Sequence, residues 1–376
     1  MKKNISYLLL TCLAATSFIG CSEDSPAEKS SQTELLSLKF DNEHVKDVEI
    51  TDTMIWISLS DELTRDQLAT MTFVPQMEIA ANATVVPASG SSLLLNKKFD
   101  FTVTAQDGVN VKKYPVGIRR QASYTFDEDW VLYNNEMTPD NGFFTPANRW
   151  WDSSNTGIFF INMFMQDTKV PMVVAAVEEG MKLTRSAKIQ TADTKGMDMG
   201  FVKVPKVTSG TLFNGKFETD IANTLNSTKF GTLLNNTLPV ELKLTYKYTA
   251  GEMFYRCPDA ANAHIVVEEA TTADEYSIVA VLYEVEKEKD VLTGVDLNTS
   301  DKVVLRAEKF GTTKDWSTEA LPFKKVKEYD PAKMHKLAIV LSSSRWGDQF
   351  SGAPGSALIV EQIDLVTLRS EDNTAE

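Results

Sequence analysis

The stretch VELKLTYKY, residues 240–248, decides the fold class. Its apolar side chains occupy every second position, namely Val240, Leu242, Leu244, Tyr246 and Tyr248. Successive side chains of a β-strand point to opposite faces of the sheet. The alternation therefore predicts a strand with one face buried and the other in water, as in antiparallel sheets.

Three further stretches are more continuously apolar. YSIVAVLYEV (276–285) and KLAIVLSSS (336–344) predict central strands, and SALIVEQIDLVTL (356–368) predicts the last strand. We count at least eight strands and no long helix over residues 122–370. A two-sheet jelly roll is the economical all-β arrangement for so many strands.

Residues 34–121 show shorter strand patterns separated by turns. Phe99 and Phe101 alternate with polar residues, and the turn signal Asp107-Gly108 follows soon after. The pattern predicts a small β-sandwich ahead of the larger domain. The segment also resembles the immunoglobulin-like modules of Bacteroidota surface proteins, and this resemblance implies a spacer role.

The amino-terminal stretch MKKNISYLLLTCLAATSFIGC, residues 1–21, has the order of a secretory signal: lysines, an apolar stretch and small residues. The apolar stretch is too short to span about 30 Å of hydrocarbon. The end of the signal, FIGCS, resembles the lipobox of bacterial lipoproteins, which implies acylation of Cys21. Ordinary cleavage that releases a soluble protein is the alternative.

The residues after Cys21 favour a location at the cell surface. Ser-Glu-Asp at 22–24 resembles the export signal that carries many Bacteroidota lipoproteins to the outer face of the outer membrane. The polar residues 22–33 predict a flexible tether, and residues 371–376 predict a polar tail.

Charge and cysteine usage exclude several classes of function. The formal net charge is −14, and loss of Lys2 and Lys3 with the signal makes it more negative, which disfavours binding of nucleic acid. Beyond the signal and the lipobox, Cys257 stands alone, so no disulfide within the chain can form. The three histidines are scattered, and no zinc-ligand spacing is present.

Several motifs in order carry a family resemblance. They are RWWDSSN (149–155), GTLFNGKF (210–217), LTYKYTAGE (244–252) and LSSSRWGDQFSGAPGSALIVEQIDLV (341–366). Together they resemble the putative carbohydrate metabolism domain of Bacteroidota lipoproteins, over about residues 122–370. The resemblance implies a jelly roll similar to galactose-binding-like domains, a fold shared with many carbohydrate-binding modules.

Two motifs supply the side chains that sugar recognition needs, which are flat aromatic faces and planar polar groups. The candidate ligand-binding residues are Trp151, Asp152 and Asn155 in the first motif, and Arg345, Trp346 and Asp348 in the last. Neighbouring strand residues face opposite sides, so at most one of Trp150 and Trp151 can point inward. In the alternative interpretation the tryptophans close the barrel ends and Asp348 bonds its own loop.

One acid interrupts an apolar pattern. Glu361 lies between Ile359 and Ile363 at a spacing of two, so we expect it to share their face. Related jelly-roll modules hold a structural Ca²⁺ between acids of the last and first strands, which implies Glu361 and Asp127, or Glu128 in place of Asp127, as ligands here. A partner such as Arg369, or an edge strand open to water, is the alternative.

The sequence thus favours a surface lipoprotein that binds a glycan (an oligo- or polysaccharide), alone or with other surface glycan-utilisation proteins. A glycoside hydrolase is the second hypothesis. An enzyme of this class needs two carboxyl groups at its active site. Its candidate acids are Asp152, Glu268, Glu269 and Asp348. A structural or adhesive protein without a sugar site is the third. No nucleophile elbow or phosphate loop is present in the sequence.

Overall fold

The computed structural model describes residues 28–165, 169–198, 200, 203–369 and 372. Strands make up 46% of the structure and helices 8%. The all-β prediction is therefore confirmed, with curled sheets that fit a β-sandwich or jelly roll. The signal, Cys21 and the first half of the tether lie outside the described residues. Within the described part of the chain, no helix is long and apolar enough to cross a membrane.

The amino-terminal module contains short strands around its own apolar core. The core is built from residues such as Leu38, Ile57, Phe73 and Phe101, which are all buried. Its elements are β1 (Leu35–Phe40), β2 (Val45–Ile50), β3 (Ile55–Ser60), α1 (Arg65–Thr70), β4 (Pro75–Ile79), β5 (Thr84–Val86), β6 (Asp100–Thr104) and β7 (Val111–Thr125).

Among the described residues, the larger carboxy-terminal part contains the remaining strands, one α-helix of ten residues, and the short 3-10 helices Thr224–Ser227, Ala260–Asn262 and Gly347–Gln349. Its elements are β8 (Trp130–Leu132), β9 (Phe144–Pro146), β10 (Trp151–Ser153), α2 (Asn155–Phe164), β11 (Val174–Val177), β12 (Ser186–Gln190), β13 (Ala192–Asp193), β14 (Met197–Asp198), β15 (Lys203–Val204), β16 (Val207–Thr208), β17 (Thr211–Phe217), β18 (Thr228–Phe230), β19 (Leu238–Thr249), β20 (Phe254–Arg256), β21 (Val267–Glu269), β22 (Tyr276–Val285), β23 (Val303–Gly311), β24 (Ser317–Pro322), β25 (Lys324–Lys325), β26 (Met334–Ser342) and β27 (Ala357–Leu368).

Two sheets form the sandwich of this larger part. One has the strand order β10-β17-β26-β22-β23-β25, with β18 also paired to β17. The other runs β11-β12-β27-β7-β3-β2, and β27 also pairs with β19, which pairs with β24. Alternate residues of both sheets meet in one buried core, for example Leu212 and Ile339 against Leu244 and Leu358. The stretch 240–248 lies in β19. Leu242, Leu244, Tyr246 and Tyr248 are buried as the alternation predicts, whereas Val240, beside a register shift, is only partly buried.

Strand β7 belongs to both parts of the molecule. Residues Val116–Gln121 pair in parallel with β3, and residues Arg120–Thr125 pair antiparallel with β27. Arg120 is buried at this junction, where it donates to the backbone oxygen of Leu63 and to the carboxylate of Asp372. The two apolar cores are therefore joined by an unbroken strand.

A second apolar layer covers the outer face of the first sheet. Phe213, Val279 and Val340 point away from the inter-sheet core and pack with Leu292 and Leu297 of the long connection between β22 and β23. The layer is incomplete, because part of this sheet face is left as the floor of a cavity.

Candidate functional site

A cavity of about 200 Å³ lies over the outer face of the first sheet. Its floor comes from β17, β26 and β22, and helix α2 contributes Phe160 on one side. The aromatic ring of Phe217 also lines it and lies against Gly157 of α2, where an added Cβ would come within 3.1 Å of the ring. Glycine at 157 thus allows the helix to approach the strand closely and narrows the cavity.

Asp348 lies at the mouth of this cavity, as a residue of the loop between β26 and β27. Its Oδ2 accepts a hydrogen bond from the side-chain amide of Asn298, at 3.1 Å. Burial raises the pKa of Asp348 above its ordinary value, while Asn298 and nearby backbone N–H groups oppose this rise. A half-buried carboxyl group next to an amide can bond two sugar hydroxyls.

Arg345 also lines the cavity, but its guanidinium already has partners. Its Nη1 lies 2.7 Å from a carboxylate oxygen of Glu275, and the group lies 4.4 Å from the ring centroid of Phe310. These contacts hold Arg345 in place beside Asp348.

A second acid lines the same cavity and was not among the sequence candidates. Asp220 follows β17, and its Oδ1 accepts the backbone N–H groups of Ala222 and Asn223, each at 3.0 Å. The hydrogen bond from Asn223 is the main cause of a pKa below the ordinary value. The only sequence signal was the turn-forming pattern of the segment ETDIANT, residues 218–224, which does not indicate a ligand site.

The loop that carries Asp348 is held by a buried acid that sequence reasoning missed. Asp274 is fully buried, and its Oδ2 accepts the hydroxyls of Ser344 at 2.5 Å and Ser356 at 2.7 Å and the backbone N–H of Ala353 at 2.8 Å. Burial raises its pKa, and these hydrogen bonds oppose the rise. The small residues of the loop therefore serve close packing and hydrogen bonding around this Asp274 cluster.

Trp346 is not part of the cavity lining. Its ring packs edge-on against Phe254, with 5.5 Å between the ring centroids, and the guanidinium of Arg256 lies 5.3 Å from the ring. The tryptophan therefore holds the loop against Phe254 and Arg256.

The three candidates of the first motif lie in the interior and outside the cavity lining. Trp151 is 2% exposed and packs on Phe126. Asp152 accepts the backbone N–H of Phe217 at 2.8 Å. Asn155 is fully buried and exchanges two hydrogen bonds with the backbone of Val174. These side chains stabilise the fold and have no face free for a sugar, so we leave them out of the proposed site.

Glu361 occupies a β-bulge, which corrects the expectation that it shares a face with Ile359 and Ile363. The register of β27 against β19 skips Glu361, since Gln362 pairs with Thr245 and Val360 pairs with Tyr246. The extra residue reverses the alternation, so Val360 and Ile363 both face the core.

The two predicted calcium ligands hold the same turn between β11 and β12. Glu361 Oε1 accepts the backbone N–H groups of Lys182 and Leu183, each at 2.6 Å. Asp127 Oδ1 accepts the hydroxyl of Thr184 and the backbone N–H of Arg185, each at 2.8 Å. The structure therefore brings Asp127 and Glu361 to one place.

One feature of Asp127 and Glu361 fits a bound cation. Glu361 is fully buried, and its Oε2 has no hydrogen-bond partner in the described part of the chain. No group of three or more His, Cys, Asp or Glu side chains that could hold a metal occurs among the described residues. Because Ca²⁺ takes six to eight oxygen ligands, most of the others would be backbone carbonyls or water.

A larger cleft of about 860 Å³ lies where the amino-terminal module meets the larger part. Trp56 lines it, but the guanidinium of Arg119 already covers the ring, 4.4 Å from its centroid. Trp56 therefore has no open ring face on which a sugar could stack.

The remaining sequence-predicted acids lie apart from the cavity. Glu269 forms an ion pair with Arg256 at 3.1 Å, and Glu268 is exposed on the same short strand, β21. Of the four predicted acids, only Asp348 lines the cavity.

Comparison with known proteins identifies the larger part of the chain. Residues 125–366 match the model of the family described as "Putative carbohydrate metabolism domain". The chain belongs to this family. The match includes every strand that forms the cavity, and it confirms the family resemblance of the motifs. A comparison with curated proteins gives no match.

Two solved structures resemble this member of the carbohydrate metabolism domain family. One, from Bacteroides thetaiotaomicron VPI-5482 and described as a putative glycoside hydrolase, is 25% identical, with a TM-score of 0.52 over 93% of this chain and 100% of that chain. The other, from Bacteroides vulgatus ATCC 8482 and described in the same words, is 24% identical, with a TM-score of 0.51 over 65% of this chain and 98% of that chain. The second likeness supports the fold alone.

Replacement of Asp274 by alanine tests the role of the Asp274 cluster in this family member. Asp274→Ala leaves three buried donors without their acceptor, so we expect the free energy of unfolding to fall by about 3 kcal/mol. Urea unfolding measures this loss. The exposed Asp301 gives a matched control, Asp301→Ala, which we expect to change stability by less than about 0.5 kcal/mol. Equal stability of the two variants would contradict the role of the cluster.

Proposed function

We propose that this protein binds carbohydrate in the cavity on the outer face of the first sheet. The observation that carries the proposal is the cavity itself, with a largely apolar interior and the polar side chains of Asp348 and Asn298 at its mouth. This is the mixture that recognition of a sugar needs, since apolar walls contact C–H groups and planar polar groups bond hydroxyls. Membership of a carbohydrate metabolism family supports the same ligand class.

The size of the cavity favours a short ligand. A volume of about 200 Å³ is below the roughly 300–1,000 Å³ of pockets that take drug-sized ligands. We therefore infer that one terminal sugar unit enters the cavity, while the rest of the glycan lies outside it.

Binding of the chain without residues 1–21 to a broad glycan array tests the proposal. We expect a selective hit, and we expect Asp348→Ala to weaken binding by at least about tenfold, because a hydrogen bond to a charged group contributes about 1.5–3 kcal/mol. Trp151→Phe, a conservative change in the interior, serves as a control that keeps the binding. A well-folded protein that binds no glycan would contradict the proposal and favour the structural or adhesive alternative.

Calcium is the cofactor that we propose for the turn between β11 and β12. Glu361 and Asp127 would hold the ion, which would supply positive charge to the buried Oε2 of Glu361. The glycan array is therefore run with Ca²⁺ and with a chelator, and thermal unfolding is followed in the same two buffers. Chelation should lower the melting temperature of the parent protein but leave that of Glu361→Gln unchanged; equal sensitivity would contradict the site.

Glycoside hydrolysis is a second candidate function, favoured by the two acids of the cavity. The pKa of Asp348 is raised and that of Asp220 is lowered, and such divergence separates a general acid from a base. Asp348 would protonate the leaving glycosidic oxygen, and Asp220 would take a proton from the water that attacks the anomeric carbon. The description of the Bacteroides thetaiotaomicron structure supports this candidate.

Release of reducing sugar from the glycan that the array identifies tests hydrolysis. Activity needs a protonated Asp348, so we expect the rate to fall as the pH rises through the raised pKa of this group. Both Asp348→Asn and Asp220→Asn should lower the rate at least about a hundredfold, whereas Glu268→Gln, outside the cavity, should not. Tight binding with no sugar released at any pH would exclude this candidate and leave a binding protein.

We further propose that the protein is a lipoprotein of the outer membrane that faces the cell exterior, anchored through Cys21. The lipobox-like FIGCS and the acidic residues after it support this location. We expect the protein to remain with the membrane fraction and to be digested by protease added to intact cells. Cys21→Ala should abolish membrane retention; an unchanged distribution would contradict the anchor.

A further inference from the structure

The floor of the cavity changes from polar to apolar along its strands. Thr211 pairs with Ser342, and Ser342 pairs with Ser277, so three hydroxyl side chains form a row across β17, β26 and β22. Directly paired residues in an antiparallel ladder share one face of the sheet. The row is therefore presented to the cavity that these three residues line.

The next row on the same face is apolar. Two residues further along the strands, Val340 pairs with Val279, and both line the cavity. Because side chains on one face recur every second residue, the two rows lie about 7 Å apart. One sugar ring can therefore contact both rows, with hydroxyls over one and a carbon substituent over the other.

Burial separates the charged lining residues from most of the uncharged ones. The apolar lining residues Val204, Phe230 and Val279 are at most 2% exposed, and so are the lining serines Ser227 and Ser344. The charged lining residues lie at the mouth, where Lys203 and Arg345 are exposed and Asp220 and Asp348 are half-buried. The most buried lining side chains are therefore uncharged, either apolar or hydroxyl-bearing, and the two cations and two acids at the mouth balance each other in formal charge.

We propose that the cavity selects a neutral sugar that carries a methyl group, either a 6-deoxyhexose or an N-acetylated hexosamine. This inference rests on the proposed carbohydrate function and names its ligand class. The methyl group contacts Val279, Val340 and Phe230, while the ring hydroxyls face the hydroxyl row and the mouth. In a sugar with CH₂OH in place of this methyl group, the added hydroxyl would be buried against these apolar side chains without a hydrogen-bond partner, which is unfavourable.

The size of the expected preference follows from this contact. An apolar pocket discriminates a single added hydroxyl or a missing methyl by about 10–100-fold. We expect a preference in this range between two sugars that differ only at the methyl-bearing position.

Titration calorimetry of the chain without residues 1–21 tests the preference with matched pairs of sugars. The pairs are L-fucose with L-galactose, L-rhamnose with L-mannose, and N-acetylglucosamine with N-formylglucosamine. The first two pairs test the 6-deoxy methyl group and the third tests the acetyl methyl group, so the pattern of preference separates the two sources. We expect tighter binding of the methyl-bearing member by about 10–100-fold in at least one pair.

Two variants test whether the apolar residues of the cavity floor cause the preference for the methyl-bearing sugar. Val340→Thr and Val279→Thr each add a hydroxyl at nearly constant volume, so each should reduce the preference by bringing a polar partner to the methyl. The exposed Val267 provides the control Val267→Thr, which should keep the preference of the parent protein. Two floor variants are used because one of them could be poorly folded, and thermal unfolding checks each.

The outcomes separate this inference from the function on which it rests. Equal affinity within every pair would overturn the inference and leave carbohydrate binding intact. A preference that both floor variants retain would also overturn it, because the methyl would then lie elsewhere. A folded protein that binds none of the sugars, and no glycan on the array, would contradict both proposals.

Discussion

The antiparallel ladder of β27 is the constraint on which the rest of the structure depends. This strand pairs with β19, with β12 and with β7, and so it joins the hairpins of the larger domain to the strand that continues into the amino-terminal module. Leu358, Val360 and Ile363 of β27 are fully buried in the inter-sheet core. A shift of the register by one residue would turn these side chains away from the core. Sheet pairing and core packing therefore determine the same register.

The cavity depends on this ladder indirectly, through the loop that precedes β27. Ser356 lies directly before the strand, and its hydroxyl donates to Asp274, which also accepts from Ser344, two residues after β26. The acid thus ties both ends of the loop to one buried point. An ionised carboxylate is costly to bury unless several donors compensate, so the loop must keep its conformation, and Asp348 keeps its position at the mouth.

Local sequence patterns predicted the fold class, but they predicted the candidate site only in part. The alternation at 240–248 reflects burial of one face of the strand, and this pattern is visible in consecutive residues of the sequence. The reversal at Glu361 depends on a bulge opposite β19, and this pairing is not visible in the local sequence. Likewise, Trp151 and Trp346 both looked suited to sugar stacking, yet each packs against aromatic side chains distant in sequence.

Acids were the hardest residues to interpret from sequence. Asp274 stands in a polar stretch, TTADE, and nothing near it in sequence indicates a fully buried side chain. Its burial follows from donors that lie 70 or more residues away along the chain. Asp220 was equally inconspicuous, because its own contacts are those of an ordinary turn. Only the three-dimensional arrangement places it in the same cavity as Asp348.

The continuity of β7 has a mechanical consequence. A hinge between two bodies needs a few residues that are free to change their backbone angles. At Arg120 and Gln121, however, β7 is paired with β3 on one side and with β27 on the other. Bending there would break hydrogen bonds to both neighbours at once. The amino-terminal module is thus joined stiffly to the larger part, and the junction keeps the cavity in a constant direction relative to that module.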